Sequence, residues 1–258
     1  MDTPDRAGLL IVNADDLGIS RHDTDAIMES FSAGAISSAT ALVWMSDSRR
    51  AAEIARHSAL PVGLHLNLIE PYTASDVPHS VADTQRRVAA RLRAAGSSAY
   101  LYHPTWARDF ERCIADQLAQ FTLLYGRPPT HFDGHQHMHL AANAILARAL
   151  GPLSTCRRPV NRTTEESRPV KRAGRALLFA AMRSRFQTTR WCLSLRALDA
   201  RLSGTQMRAR LDAASHSSVE VMVHPGWDDE REVLASDAWQ GTLAGFRVGS
   251  FGQLSGDH

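Results

Sequence analysis

Short apolar runs alternate with helix-forming stretches along most of the chain, and this alternation constrains the fold more than any other feature. Strands are predicted at Leu9–Val12, Ala39–Met45, Val62–Leu68, Thr130–Gly134, Leu153–Val160, Trp191–Leu195, Val219–Val223 and Phe246–Phe251. Helices are predicted at Asp23–Ser32, Ser48–His57, Val81–Ala95, Ala107–Tyr125, Ala141–Leu150, Arg172–Arg185 and Thr205–Ala214. About eight strands alternating with helices over roughly 250 residues match the size of a parallel barrel. We therefore predict an α/β fold of the (β/α) barrel type, TIM-barrel-like with distortion or incomplete closure allowed, and a doubly wound open sheet as the alternative.

The composition excludes several classes of protein. With 258 residues, 44% hydrophobic residues, a formal net charge of +2 and 3 cysteines, the chain is neither a disordered tail nor a small disulfide scaffold. The length is ample to bury a core. We predict one domain over residues 1–258, because the Pro- and Ser-rich stretches look like loops rather than linkers.

Charge and cysteine usage predict the compartment of the protein and the kinds of partner it meets. The acidic N-terminus lacks the basic region of a signal peptide, and no run of 18 apolar residues is present to span a bilayer. Three cysteines without close pairing indicate reduced thiols, hence a cytoplasmic protein without an integral membrane segment. A net charge near zero predicts no nucleic-acid partner. Ten of the 29 basic residues lie between Arg157 and Arg190. This segment is interpreted either as a solvated face or as a contact for an anionic substrate or a lipid surface.

Polar residues with metal-binding or acid–base chemistry follow the predicted strands. The first strand ends in Asn-Ala-Asp-Asp at 13–16, and the third contains His65. The carboxyl ends of parallel strands share one face, so side chains distant in sequence meet there. Asp15 and Asp16 would repel each other unless a cation lay between them, although an Asp-Asp pair is also a common start for a helix. His65, on the polar face of its strand, is compatible with either a buried structural role or a metal ligand.

A histidine-rich segment gives the strongest signal. Of the 12 histidines, four lie between His131 and His139, and Asp133 lies among them. In an extended chain every second residue would place His131, Asp133, His135, His137 and His139 on one side. Imidazole and carboxylate ligands without thiolate suit Zn²⁺, Mn²⁺ or Fe²⁺, and less well Mg²⁺. The segment predicts a metal or catalytic site without specifying which histidine is the ligand.

His224 is predicted to act apart from this segment. An apolar strand, Val219–Val223, delivers it directly before Pro225 and Gly226, which end the strand sharply. An imidazole in this position suits general acid–base catalysis near neutral pH, with a loop histidine bonded to backbone as the alternative.

Read together, LLIVNADDLGIS, TALVWM, GLHLNL, RPPTHFDGHQHMH and VEVMVHPGW resemble the YdjC-like carbohydrate deacetylases, from about Leu9 to Phe251. That group includes chitooligosaccharide deacetylases and relatives assigned to hopanoid biosynthesis. The resemblance implies a (β/α)-barrel-type fold and a hydrolase that removes acetyl groups from N-acetylated sugars with one divalent metal ion, Mg²⁺ or Zn²⁺. It makes Asp16, His65 and His135 the metal ligands, Asp15 the general base and His224 the general acid.

The resemblance leaves other properties open. Asp133, His137 and His139 become supporting or substrate-side groups, and the 157–190 segment matches the family pattern poorly. The implied partner is an N-acetylated sugar or oligosaccharide, with a lipid-linked substrate and a homo-oligomer as open alternatives. Another metal-dependent hydrolase of an amide or phosphoester, or a non-catalytic sugar- or lipid-binding relative, also fits the same scaffold.

Overall fold

A curled parallel sheet of six strands forms the centre of the molecule. The computed structural model describes residues 8–160, 169–198, 208 and 211–254. The strands are β1 (Leu9–Leu17), β2 (Ser38–Ala41), β3 (Val62–Leu66), β4 (Phe132–Gly134), β5 (Trp191–Ser194) and β6 (Ser218–Val223). Their order in the sheet is β4-β3-β2-β1-β6-β5, which is the order of a barrel opened between β4 and β5. The predicted α/β barrel-type fold is confirmed in a distorted form, as a half-barrel.

Helices surround this sheet. They are α1 (Arg21–Ser32), α2 (Ser48–Arg56), α3 (His79–Ala95), α4 (Ala107–Tyr125), α5 (Ala142–Ile145), α6 (Pro169–Arg183), α7 (Asp228–Leu234) and α8 (Asp237–Leu243). The 3₁₀ turns span Gly96–Tyr100, Pro104–Trp106, His135–Leu140, Arg148–Leu150, Leu195–Leu198, Asp212–Ser215 and Phe251–Gln253. None of the helices within the described residues has the length and apolar character needed to cross a bilayer.

The two faces of the sheet bury different kinds of side chain. On β1, Leu10, Val12 and Ala14 join the large apolar core. Leu9 and Ile11 point to the other face, where they pack with Phe251 in a separate small cluster. Alternation along a strand continues that inner face into Asn13 and Asp15. The interior of the half-barrel therefore has an apolar floor and a polar layer above it, toward the carboxyl ends of the strands.

Two predicted strands are reduced to single bridges. In the 153–160 segment, Cys156 bridges Phe132 of β4, and Thr155 bridges Gln187 just before β5. Through these two bridges the 153–160 segment lies in the gap between β4 and β5. In the last predicted strand, only Val248 bridges Leu10. The 153–160 segment thus lies at the opening between β4 and β5, whereas Val248 lies beside β1 at its amino end, and neither segment forms a continuous ladder.

Two predicted helices also differ. The predicted helix Ala141–Leu150 is interrupted, with one α-helical turn and a separate 3₁₀ turn at Arg148–Leu150. Half of the predicted helix Thr205–Ala214, at positions 205–207 and 209–210, lies outside the described residues, and its end forms part of the 3₁₀ turn Asp212–Ser215.

Candidate metal and catalytic site

Two neighbouring aspartates at the end of β1 face different partners because the strand bulges between them. The pairing with β2 shifts register between Ala14 and Leu17, so Asp15 and Asp16 together lie opposite Thr40. Asp16 has a positive φ of 71°, which an aspartate adopts more readily than most residues. The bulge lets both carboxylates reach the interior of one site, which regular alternation would prevent.

Asp16, His65 and His135 converge at the carboxyl edge of the sheet. Asp16 Oδ1 lies 3.3 Å from His65 Nε2 and 2.9 Å from His135 Nδ1. One ligand atom from each of the three residues falls within 4.8 Å of the others. Burial of Asp16 opposes ionisation, but the hydrogen bonds to His135 and His65 hold its pKa well below the usual range. Two imidazoles and one ionised carboxylate form a donor set that fits Zn²⁺, Fe²⁺ or Mn²⁺.

Asp133 fixes the orientation of His65. These residues lie directly opposite each other on β4 and β3, and His65 Nδ1 is 2.7 Å from Asp133 Oδ1. Thr40 Oγ1 donates a second hydrogen bond to Asp133 Oδ2 at 3.0 Å. A carboxylate on Nδ1 leaves Nε2 directed at Asp16, which is the usual arrangement behind a metal-ligating histidine.

A second group of potential ligand atoms comprises Asp15, His65 and Asp133. Its two carboxylates are already bound by the Arg157 guanidinium, at 2.6 Å for Asp15 and 2.7 Å for Asp133. A cation there would compete with a buried arginine for the same oxygens. The Asp16 group therefore fits a metal ion better.

The histidine-rich segment is extended only up to Gly134, where the predicted strand also ends, so its five alternate side chains do not share one side. β4 ends at Gly134, and a kinked 3₁₀ turn follows over His135–Leu140. Gln136 and His137 both have positive φ, 52° and 59°. This turn directs His135 to Asp16 and separates it from the other histidines.

The remaining histidines of the segment have other surroundings. His131 is fully buried below the site, where its Nε2 lies 3.2 Å from Asn13 Oδ1 and its ring stacks on Phe251. Burial lowers the pKa of His131 to about 3, so it is a neutral structural residue. His139 is also buried, and its Nε2 lies 3.2 Å from the backbone oxygen of Arg157. His137 is partly buried, and burial lowers its pKa to about 4.

Arg157 holds Asp15 in place, and the sequence analysis did not identify it. Its Nη1 and Nη2 donate to the two oxygens of Asp15, each at 2.6 Å. Asn13 Nδ2 donates to Asp15 Oδ1 at 3.1 Å. Arg157 is fully buried, at the start of the segment interpreted as a solvated basic face. A signal was present in the sequence, because Asp15, Asp16 and Glu220 lie in or directly after apolar strands. Acids buried there need a positively charged partner, which an arginine can supply.

His224 lies beside Asp15 at the end of β6. Its Nε2 is 3.9 Å from Asp15 Oδ2, and its Nδ1 is 3.4 Å from Glu230 Oε1. Glu230 also accepts a hydrogen bond from the His224 backbone N–H at 2.6 Å. Burial opposes the charged imidazole, but Glu230 and Asp15 together raise its pKa above the usual value. The ring of Trp227 stacks on His224 with centroids 3.8 Å apart, and Glu230 and Trp227 are two further residues that sequence reasoning missed.

Backbone strain is concentrated at this edge of the sheet. The described non-glycine residues with positive φ are Asp16, Trp44, Gln136 and His137. All four lie at or just beyond the carboxyl ends of β1, β2 and β4. Such conformations cost roughly 1–3 kcal/mol each and persist where a site requires them.

The chain is similar to known proteins over most of its length. A sequence profile of the family described as YdjC-like protein matches residues 9–248. The chitooligosaccharide deacetylase of Serratia marcescens is 30% identical over 275 aligned positions, which cover 95% of this chain and 99% of that protein. The chitooligosaccharide deacetylase of Yersinia enterocolitica serotype O:8 is 28% identical, with 94% and 98% covered.

A solved structure supports the same fold. It is that of a proposed cellobiose-phosphate cleavage protein from Enterococcus faecalis V583, with a TM-score of 0.66 and 22% identity. The match covers 95% of this chain and 98% of that protein.

Proposed function

This chain belongs to the YdjC-like protein family, and from that membership we propose that it is a metal-dependent hydrolase that removes acetyl groups from N-acetylated sugars or oligosaccharides. The observation that carries the proposal is the convergence of Asp16, His65 and His135 beside a carboxylate, Asp15, that lies 3.9 Å from His224. A group of metal ligands with a base and an acid next to it is what amide hydrolysis requires.

The substrate class rests on the relatives. The Serratia and Yersinia proteins are named as chitooligosaccharide deacetylases, and the alignments cover nearly the whole of each chain. We carry this over as acetamide hydrolysis on an amino sugar, which yields acetate and a free amine.

The metal would be held by Asp16, His65 and His135. A divalent cation in that position supplies Lewis acidity both to the acetamide carbonyl and to water. Two imidazole donors favour Zn²⁺ over Mg²⁺, which prefers an all-oxygen environment. We therefore expect Zn²⁺ to bind more tightly than Mg²⁺.

Asp15 would be the general base. Arg157 donates a hydrogen bond to each oxygen of Asp15, at 2.6 Å. Each carboxylate oxygen retains a further lone pair with which to accept a proton from water. The bidentate contact fixes the plane of the carboxylate, and a base held in this way loses little orientational freedom during the reaction.

His224 would be the general acid. The carboxylates of Glu230 and Asp15 favour its protonated form, so that it can deliver a proton to the departing amine nitrogen near neutral pH. Glu230 accepts a hydrogen bond from the His224 backbone N–H and lies 3.4 Å from Nδ1, so Nε2 is the ring nitrogen on the side of Asp15.

The proposal is tested by acetate release. The protein is stripped of metal, reloaded with Zn²⁺ or Mg²⁺, and incubated with N-acetylglucosamine oligomers of increasing length. We expect acetate from at least one oligomer, none after chelation, and recovery when metal is restored. The exposed His57 provides a matched control for substitution of the site histidine in H135A. H57A should release acetate at the wild-type rate.

Two outcomes would contradict this function. Hydrolysis of a phosphoester panel with no acetate from any acetylated sugar would indicate a different hydrolase. Tight binding of an oligomer with no turnover under either metal would indicate a binding protein.

A further inference from the structure

Glu220 is a carboxyl group inside the half-barrel that the chemistry above does not use. It lies in the middle of β6, paired with Ile11 of β1 and Cys192 of β5, and it is fully buried. Its neighbours Val219 and Val221 point to the opposite face and join the apolar core. A fully buried carboxyl group is unfavourable unless a specific partner compensates for the loss of water.

The partner of Glu220 is Arg157. Arg157 Nε donates to Glu220 Oε1 at 2.5 Å, while Nη1 and Nη2 hold the two oxygens of Asp15. Nη1 also contacts Asp133 Oδ2 at 2.7 Å. Glu220 Oε2 has no hydrogen-bond partner among the described residues. The side-chain hydrogen bond of Glu220 therefore goes to the Arg157 guanidinium.

The three acceptors hold the guanidinium from different sides. The two hydrogen bonds from Nη1 and Nη2 to Asp15, called here the guanidinium fork, leave the Nε–H of Arg157 without an acceptor. A buried N–H without an acceptor is costly. Glu220 supplies that acceptor on the side away from the reacting groups. The plane of Arg157, and with it the plane of the Asp15 carboxylate, is then fixed at both ends.

We propose that Glu220 is a positioning residue for the reaction, which anchors Arg157 Nε so that the guanidinium fork holds Asp15 in the orientation of a general base. The role rests on the proposed function for Asp15. It predicts that Glu220 affects turnover without affecting the metal, because Glu220 touches none of Asp16, His65 and His135.

Three substitutions separate positioning from simple packing. E220Q keeps an acceptor for Arg157 Nε, E220L has a similar volume without an acceptor, and E220D keeps the charge but is too short to reach Nε. We expect E220L and E220D to lower kcat by about 100-fold, the effect of misplacing a catalytic group by roughly 1 Å. KM and Zn²⁺ affinity should stay at wild-type values, and E220Q should retain most of kcat.

A matched control comes from the same strand. V221A truncates a fully buried side chain on the other face of β6, so it should lower stability and leave kcat unchanged. Wild-type kcat in E220L or E220D would overturn the proposal, as would a loss of Zn²⁺ affinity in step with kcat, or an E220Q as impaired as E220L.

A second measurement does not depend on activity. Crystal structures of E220D and E220L should show the Arg157 fork displaced from Asp15, and that of E220Q should show it in place. An unchanged fork in E220D and E220L would overturn the proposal even if the wild-type protein released no acetate. Absence of acetate from the wild type, with a displaced fork, would instead count against the proposed function alone.

Discussion

At the scale of single residues, the site depends on one buried cation among several buried acids. Arg157 contacts Asp15, Asp133 and Glu220, and all four residues are buried. Removing Arg157 would leave three carboxyl groups without a counter-charge, so it serves the fold as well as the chemistry. A divalent cation at Asp16 would add positive charge beside the same group of acids.

We predict that His65 couples metal binding to proton release. Burial disfavours the imidazolium, but the carboxylates of Asp133 and Asp15 raise the pKa of His65 well above its usual value. These carboxylates favour the protonated imidazole, and a metal ion bound through His65 would displace that proton. We predict release of about one proton per Zn²⁺ bound, measured by titration calorimetry in buffers of different ionisation enthalpy.

D133N provides the comparison for this prediction. It removes the carboxylate on His65 Nδ1, so the His65 pKa should fall and fewer protons should be released at the same pH. Equal proton release by the wild type and D133N would contradict the account of His65.

Glu220 should make stability depend on pH. Burial is the largest influence on its pKa and raises it from 4.5 to about 7, although Arg157 acts in the opposite direction. Between these pH values the folded protein holds a proton that the unfolded chain has lost, so stability falls as pH rises, by at most about 1.4 kcal/mol per pH unit. E220Q has no such proton, and the unfolding free energy of the wild type relative to E220Q should decrease across this window.

Chemical denaturation of both proteins from pH 4.5 to about 8 would measure this difference, since the window ends above the folded-state pKa. A constant difference across the range would show that Glu220 ionises in the folded protein as it does in the unfolded chain.

The residues predicted from sequence are those that follow strands. Asp15, Asp16, His65 and His224 lie at or near the ends of apolar runs, where parallel strands bring side chains together. The family resemblance selected His135, which the pattern alone could not. Arg157 could not be found in this way, because its partner Asp15 is 142 residues away in sequence and the intervening fold decides which arginine turns inward.

At the scale of secondary-structure elements, β4 and the turn after it decide how the site is built. In an extended chain the alternate residues of the 131–139 segment would share one side, although the predicted strand itself ended at Gly134. The structure instead turns after Gly134, through two non-glycine residues with positive φ. Side-chain alternation does not encode such backbone angles. In the folded chain Gln136 Nε2 donates to Glu70 Oε1 at 2.8 Å.

The inner face of β3 leaves no room for a larger side chain beside His131. A Cβ on Gly63 would lie 2.5 Å from the His131 ring, and the ring is itself packed against Phe251. We predict that G63A loses about 1–3 kcal/mol of stability through overpacking. Thermal or chemical denaturation measures this loss.

Gly241 offers a control of the opposite sign. It lies within α8, and a Cβ there would meet nothing within 4 Å. G241A should therefore stabilise the protein by about 0.5–1 kcal/mol. A G63A protein as stable as G241A would contradict the packing described for the barrel interior.

At the scale of the whole molecule, the barrel interior is layered. Leu9, Ile11 and Phe251 form an apolar floor, and the hydrogen-bonded polar groups lie above it. The candidate metal ligands lie above these, at the open carboxyl edge. The alternation of strands and helices predicted an α/β fold of the barrel type, with a doubly wound sheet as the alternative. It could not predict the gap between β4 and β5, because the 153–160 segment has strand-like composition but meets its neighbours through single bridges.

A metal ion bound only by the folded state should stabilise the whole molecule. Free Zn²⁺ at about 100 times its Kd would add about 2.7 kcal/mol, equivalent to a Tm increase of roughly 5–10 °C for a chain of this size. We expect chelation to reverse the increase, and H135A to show little of it. An equal increase in the wild type and H135A, measured by calorimetry, would place the metal elsewhere.

We propose that Asp16, His65 and His135 hold a metal while Asp15 moves a proton beside it. Metal content and acetate release, measured on the same samples of D15N and H135A, test this most directly. We predict that D15N binds Zn²⁺ like the wild type yet releases acetate at least about 100-fold more slowly, as expected for loss of a general base, whereas H135A loses both metal and activity. Full metal content in H135A, or wild-type acetate release by D15N, would contradict the account.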